Sequence, residues 1–436
     1  MIQETELAAP GGFNARTTSE SAFFWRASLN MPRFRAAIEA DRAIAPEQGD
    51  TLSTDAWWER LERGLLQRFQ ALHLFMERLA VGKSLPQSLA LSASPVFKEM
   101  LRKLAPAISL APRFRGRSLG SPFVTPWTWF GATDLQLLPD GSTLVLDQDF
   151  SALSGLERLP QLCHLPVAEA ALRIRSTLFP HGCDHSGESP FLLEPPNPAA
   201  DQSTNDFLAG CLNADRVHRG HLQADSSGLF VFRNGRSERV RCLVRRIEDP
   251  FLDPNFFRPD SLIGLPGLVR RWSAGDTSLL PAPGSSLLKL QTVVRQVPQM
   301  IRDFLGQEPL LETANLLEAH RPDELDRILR NPRDFVFRRC DPAEPVRPCN
   351  GRTARPVDLT NLLSRIQQNP SGWYARPVLP ANHNGQHLRV FASHTDRFRL
   401  LRTGILQPAQ FDGTAPLLIP AETPLKLLQR PQQPLC

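Results

Sequence analysis

The chain has 436 residues, 41% of them apolar and 22% charged, with a formal net charge of +5. This length exceeds one ordinary core and predicts two or three domains, and the composition excludes a disordered chain. No apolar run approaches the roughly 20 residues that span a bilayer, so no membrane partner is expected.

The N-terminal MIQETELAAPGGF has neither a basic n-region nor an apolar h-region, which predicts a cytoplasmic protein. Cysteines at positions 163, 183, 211, 242, 340, 349 and 436 show no paired spacing, so reduced thiols are expected rather than a disulfide framework. The final QPLC is not a prenylation arrangement. Lysine occurs only at Lys83, Lys98, Lys103, Lys289 and Lys426, so most of the basic residues are arginine. Arginine suits phosphate and carboxylate binding, but no dense basic tract is interleaved with aromatics, and nucleic acid is not an expected partner.

In chain order, residues 1–53 read as an irregular lead-in rich in Pro, Gly and Ser, with one short helical candidate at 31–42. From Thr54 the apolar residues Trp58, Leu61, Leu65, Phe69, Leu72, Phe75, Met76 and Leu79 recur every three or four positions, predicting a long amphipathic helix capped at Thr54 and ended by Gly82. A second helix is expected over 94–104. Then "TDLQLLPDGSTLVLDQDFS" predicts a hairpin around Pro139-Asp140-Gly141. A two- or four-residue turn sets Leu138 opposite Thr143, Leu137 opposite Leu144 and Asp134 opposite Asp147, with Asp149 two residues further on the same face. Opposed like charges are unfavourable unless a cation lies between them. The residues alone allow a Mg2+ site, a solvated face, or a three-residue loop that shifts this register.

Residues 161–295 read as a central α/β domain. His181-Gly182-Cys183-Asp184-His185 has no second ligand pair at zinc spacing and is expected to be a surface loop. "VRCLVRRI" predicts a buried strand that feeds "RRIEDPFLDPNFFRPDSLIGLPG", whose four prolines divide it into short rigid pieces. In the last part, 296–436, a helix is expected at 296–306, and "DFVFRRC" and "HLRVFAS" are strand candidates. There is no Walker A, G-x-G-x-x-G or G-x-S-x-G pattern in a context that its mechanism needs.

The long segment beginning RRIEDPFLDP, followed by "PQMIRDFLGQEPLL", resembles the signature of the circularly permuted ATP-grasp family, type 2. "WWERLERGLLQRFQALHLFMERL", "ASPVF" and "TDLQLLPDGSTLVLDQDFSALSG" resemble other family segments in the same order, so the likeness spans about residues 54–402. It implies an α+β fold with reordered lobes: an N-terminal helical segment with the metal hairpin at 54–160, the central domain at 161–295 and a second lobe at 296–436. It also implies ATP and Mg2+ as cofactors and ligation of a carboxylate to an amine through an acyl phosphate. The family's metal ligands fall on Asp134, Asp147 and Asp149, its catalytic loop on Arg246, Asp249, Asp253 and Arg258 (with Arg245, Asp260 and Ser261 also matching), and its nucleotide contacts on Lys289, Arg338, Arg389 and Arg402.

Departures accompany the match. Ser151 stands where the family has an arginine, although Ser154 and Gly155 persist, and Glu248 replaces the first acid of a pair. The acidic neighbours of Lys289 are gone, Arg338 replaces the nucleotide lysine, and the glycine-rich phosphate loop has become Pro- and Cys-bearing sequence. Two readings follow: an active ligase for small-molecule or peptide carboxylate and amine substrates, or a degenerate homologue that binds a protein partner.

Overall fold

The structure, a computed structural model, describes residues 54–111, 126–138, 142–150, 155–156, 159, 166–182, 189–195, 202–340, 348–378, 387–395, 397–407 and 417–419. The lead-in with its short helical candidate, the turn Pro139–Gly141, Ser151, Ser154, Cys163, Cys436 and the Cys183-Asp184-His185 part of the histidine loop lie outside the described residues.

Helix α1, Thr54–Ala80, is the predicted amphipathic helix. Its stripe from Trp58 to Met76 is buried, at 0–2% exposure, and each such side chain contributes about 1.5–3 kcal/mol. Gly82 follows with φ +67°, a backbone region open to glycine. Helix α2, Pro95–Ile108, starts at Ser94, whose hydroxyl accepts the Phe97 N–H, and runs four residues beyond the predicted end. The hairpin strands are β1, Phe130–Leu137, and β2, Thr143–Asp149.

The central part alternates strand and helix: α3 (Val167–Leu178), β3 (Phe191–Leu193), α4 (Gln202–Leu212), β4 (Asp215–Val217), a meander β5 (Leu222–Asp225), β6 (Gly228–Arg233) and β7 (Arg236–Arg239), then β8 (Cys242–Arg245) and β9 (Ser278–Leu280). The predicted buried strand is β8, with all four residues buried. Helix α5, Gln291–Met300, leads into a wider turn at Ile301–Leu305, so the helix expected at 296–306 begins earlier than its apolar spacing suggests. The remainder holds β10 (Glu312–Thr313), β11 (Leu317–Glu318), α6 (Pro322–Arg330), β12 (Phe335–Arg339), β13 (Cys349–Asn350), α7 (Pro356–Gln368), β14 (Trp373–Pro377), β15 (His387–His394), β16 (Phe398–Gln407) and β17 (Leu417–Ile419). Both strand candidates of this part, β12 and β15, are strands.

Four sheets result. The largest has the order β10-β2-β1-β15-β16-β17 and so joins an early hairpin to late strands. A four-stranded sheet, β11-β14-β12-β13, packs on α6 and α7 around its own apolar cluster. A parallel sheet, β4-β3-β8-β9, and the meander complete the set.

The hairpin register combines two of the expected alternatives. Leu138 N–H bonds Ser142 O, and Leu137 lies opposite Thr143, as a three-residue loop requires. A bulge then shifts the pairing by one residue, and Asp134 lies opposite Asp147 after all. Without that bulge every side chain of β2 beyond it would change faces.

Helix α1 supports the hairpin from one side. Phe69 meets Phe150 edge-on at 4.9 Å and Phe398 at 5.1 Å, and a Cβ on Gly131 would come within 2.8 Å of its ring. Phe69→Ala is expected to lower stability by about 3–5 kcal/mol, read as a lower urea midpoint at unchanged m-value.

Candidate functional site

Asp134, Asp147 and Asp149 lie on the face of the six-stranded sheet opposite α1. Between the two β2 aspartates, Gln148 faces the other way and accepts from the buried Arg68 of α1 at 2.9 Å. Arg389 of β15 pairs across from Asp134 and donates both arms of its fork, at 2.7 and 2.8 Å. His387, two residues earlier, puts Nε2 3.7 Å from the same carboxylate. Burial pushes the Asp134 carboxyl up, but Arg389, His387 and Arg338 outweigh it and hold it down at about 2.

Asp147 is in the opposite condition. Its Oδ1 accepts from Gln291 Nε2 at 2.7 Å and from the Gln148 N–H at 2.8 Å, and its Oδ2 lies 3.5 Å from Arg338 Nη1. Burial, together with the Asp134 and Asp149 charges, overcomes the pull of Arg338 and Arg389 and pushes it up to about 6. The carboxylate is short of positive charge.

Arg338 belongs to β12 of the other sheet, so its contact with Asp147 crosses from one sheet to the other. Beside it on β14 stand Tyr374, the chain's one tyrosine, and Arg376. Arg338 Nε is buried without a partner among the described residues. Lys289 ends a short turn, Ser285–Lys289, and places Nζ 3.4 Å from Asp149 and 3.0 Å from Glu248. Burial alone would lower this lysine, but those two acids raise it.

The loop after β8 is organised differently. Arg245 is buried and donates to Pro281 O, Ala282 O, Ile247 O and Asp249. Asp249 also accepts the Gly284 and Ser286 N–H groups and the Ser286 hydroxyl. Asp253 accepts the N–H groups of Asn255, Gly267 and Val269. The rigid prolines and these two acids therefore brace the loop against itself. Gly264 fits only because it has no Cβ, which would lie 2.0 Å from Phe251 O. Arg258 is exposed, paired with Asp260 at 2.7 Å and resting over Phe251.

The sequence profile of the circularly permuted ATP-grasp type 2 family matches residues 52–407. The chain belongs to this family. Its α+β fold is the permuted ATP-grasp one, in which the six-stranded sheet combines strands from both ends of the matched region. An uncharacterized protein of Synechocystis sp. is 26% identical over 74% of this chain and 69% of its own length. Uncharacterized proteins of Mycobacterium leprae (24%, covering 74% of this chain and 58% of that protein) and Mycobacterium tuberculosis (25%, covering 83% and 41%) are similar as well. A crystal structure titled a putative gamma-glutamylcysteine synthetase from Methylobacillus flagellatus aligns with 73% of the chain and 81% of its own at 12% identity and a TM-score of 0.31.

Within this ATP-grasp frame the structure brings together Asp134, Asp147, Asp149, Lys289, Arg338 and Arg389. It does not bring Arg402 to them, since that guanidinium pairs with Glu62 of α1 at 3.2 Å. Asp249 and Asp253, expected in the catalytic loop, both have their carboxylates engaged by donors of the surrounding chain, Asp249 by Arg245, Gly284 and Ser286 and Asp253 by Asn255, Gly267 and Val269. Arg258 lies on the surface, and Arg246 stands at the end of β8 with Asn205.

Among the described residues no group of three or more His, Cys, Asp or Glu side chains is arranged to hold a metal. The three carboxylates of the expected metal site differ in what they are bonded to. Asp134 has both oxygens on Arg389, whereas Asp147 and Asp149 offer hard oxygens from one strand face, and Arg338 compensates the Asp147 charge only in part. That donor set fits Mg2+, which commonly takes one or two carboxylates and completes its shell with phosphate and water. Gly155, at φ +96°, approaches Arg389 so closely that a Cβ would sit 3.2 Å from the guanidinium.

Sequence reasoning missed Gln291, His387, Tyr374 and Arg376. The signal for His387 and Arg376 was the i, i+2 spacing from Arg389 and Tyr374, which puts each pair on one strand face. No local signal marks Gln291. Lys289, which lacks acidic neighbours in sequence, takes its acids from β2 and from the start of the loop.

Among the described residues no helix is long and apolar enough to cross a membrane.

Proposed function

We propose that this chain is an ATP- and Mg2+-dependent ligase that joins a carboxylate to an amine through an acyl phosphate. The observation that carries this reading is the meeting of Arg338 from one sheet with Asp147 of the other, flanked by Arg389, Lys289 and Asp149. Asp147 and Asp149 would hold Mg2+, which supplies charge neutralisation to the phosphates. Arg338 and Lys289 would turn from their carboxylates to phosphate oxygens and, with Arg389 kept in place by Asp134, would hold the transferring group in line. Asp134 and Gly155 fix the direction of Arg389, and Gln291 fixes Asp147. The reaction is placed in the cytoplasm, with small-molecule or peptide substrates.

A second reading is favoured by one feature: the β12–β13 connection, "CDPAEPVRPC", contains no glycine to bring backbone N–H groups onto phosphate. In that reading the site is vestigial and the chain binds a protein partner. Calorimetric titration with a nonhydrolysable ATP analogue, with and without Mg2+, separates them. Metal-dependent binding supports the ligase, and its absence supports the binding subunit.

A further inference from the structure

The central parallel sheet has an edge whose chemistry the nucleotide cleft does not use. One residue beyond the ends of β4, β3 and β8 stand His218, Glu194 and Arg246. Leu193 lies opposite Val217 and Arg245 in the paired strands, the Glu194 N–H bonds Val217 O, and the Arg246 N–H bonds Leu193 O. The three residues therefore form a row across adjacent strands, roughly 5 Å apart. In open α/β sheets the carboxyl ends of parallel strands are where ligands enter.

The charges along this row are unbalanced. Glu194 is buried, and both of its oxygens are taken by the fork of Arg216, each at 3.0 Å. It does not neutralise its other neighbour. Arg246 is half-buried, and its side chain has one described partner, the neutral Asn205 Oδ1. An arginine with no carboxylate partner among the described residues is complementary to an anion, and its planar fork suits a carboxylate.

The row also adjoins the nucleotide site. Two residues after Arg246, Glu248 meets Lys289 at 3.0 Å, and Lys289 meets Asp149 at 3.4 Å. A molecule anchored at Arg246 would therefore extend toward the place where phosphoryl transfer is proposed.

We infer that the carboxyl-terminal edge of β3, β4 and β8 is the acceptor site, and that Arg246 holds an anchoring carboxylate of an amino-acid-class substrate. This rests on the ligase reading for its chemistry, while the site itself rests on the row. A carboxylate in a guanidinium fork is a poor nucleophile, so the group that reacts is the substrate's other one, an amine or a second carboxylate.

The test is direct binding, independent of turnover. The twenty proteinogenic amino acids, succinate and glutarate are titrated calorimetrically into the wild-type chain, Arg246→Gln and Arg246→Lys, each checked for a folded thermal transition. At least one probe is expected to bind the wild type, to weaken about 10- to 100-fold in R246Q, and to recover part of that in R246K. No binding by any probe, or binding that R246Q leaves unchanged, overturns the inference. An ATP-analogue titration of the wild type reports on the other reading: carboxylate binding without nucleotide binding sinks the ligase and leaves the site, and the reverse sinks the site and leaves the ligase.

Discussion

Asp147→Ala is expected to weaken Mg2+-dependent binding of an ATP analogue by at least about 100-fold, more than the loss caused by removing a residue that only supports a metal ligand. Asp147 meets Arg338 of the other sheet, and its carboxylate lacks the full positive charge its burial calls for. The same shortage predicts an effect on stability with the sign reversed. Because the folded-state pKa is pushed up to about 6, above the roughly 3.9 of an unfolded chain, the native protein binds more protons than the unfolded one between these values. The contribution of Asp147 is therefore full below about pH 4 and is lost as pH rises toward 6. Asp147→Asn should remove that fall from the stability curve while still losing metal-dependent binding. A variant that binds the nucleotide with unchanged metal dependence would show that Asp147 is not a ligand.

Asp249→Ala is expected to be among the most destabilising single changes, at about 3–5 kcal/mol, because it leaves the buried Arg245 guanidinium without its counter-charge. It also strands the N–H groups of Gly284 and Ser286 that set up the turn to Lys289. Urea denaturation followed by tryptophan fluorescence gives the shift in midpoint. Asp249→Asn, which keeps one acceptor oxygen, should fall between the two. An unchanged midpoint with lost turnover would instead return Asp249 to the catalytic role that the loop's likeness implies.

The contrast between these two aspartates shows what could be read before the fold was seen. Strand and helix identities were legible wherever apolar spacing was regular, as in α1, β8, β12 and β15. Opposition of Asp134 and Asp147 was legible from the hairpin, although the bulge that produces it was not, since a bulge at an ordinary aliphatic residue carries no sequence mark. Motif likeness located the loop beyond β8 but could not tell which way its carboxylates turn, because that depends on backbone donors from Gly267, Val269, Gly284 and Ser286. The pairing of Arg402 with Glu62 was equally hidden, because a lone arginine on a strand does not say which face of the sheet it takes once the β15–β16 pairing shifts register. The reach of Arg338 across to β2 was hidden too, because neither strand records its distance from the other.

The central strand of the site sheet also bears on how the protein is made. Asp134 waits for a partner, Arg389, that lies 255 residues further along. At ordinary elongation rates of 5–20 residues per second, about 13–50 seconds separate the synthesis of β1 from that of β15. During this interval the β1 edge presents unpaired N–H and C=O groups beside a buried apolar surface. A nascent chain stalled before residue 387 would be a substrate for holding chaperones and prone to strand pairing between ribosomes, a vulnerability that release of the last strands ends.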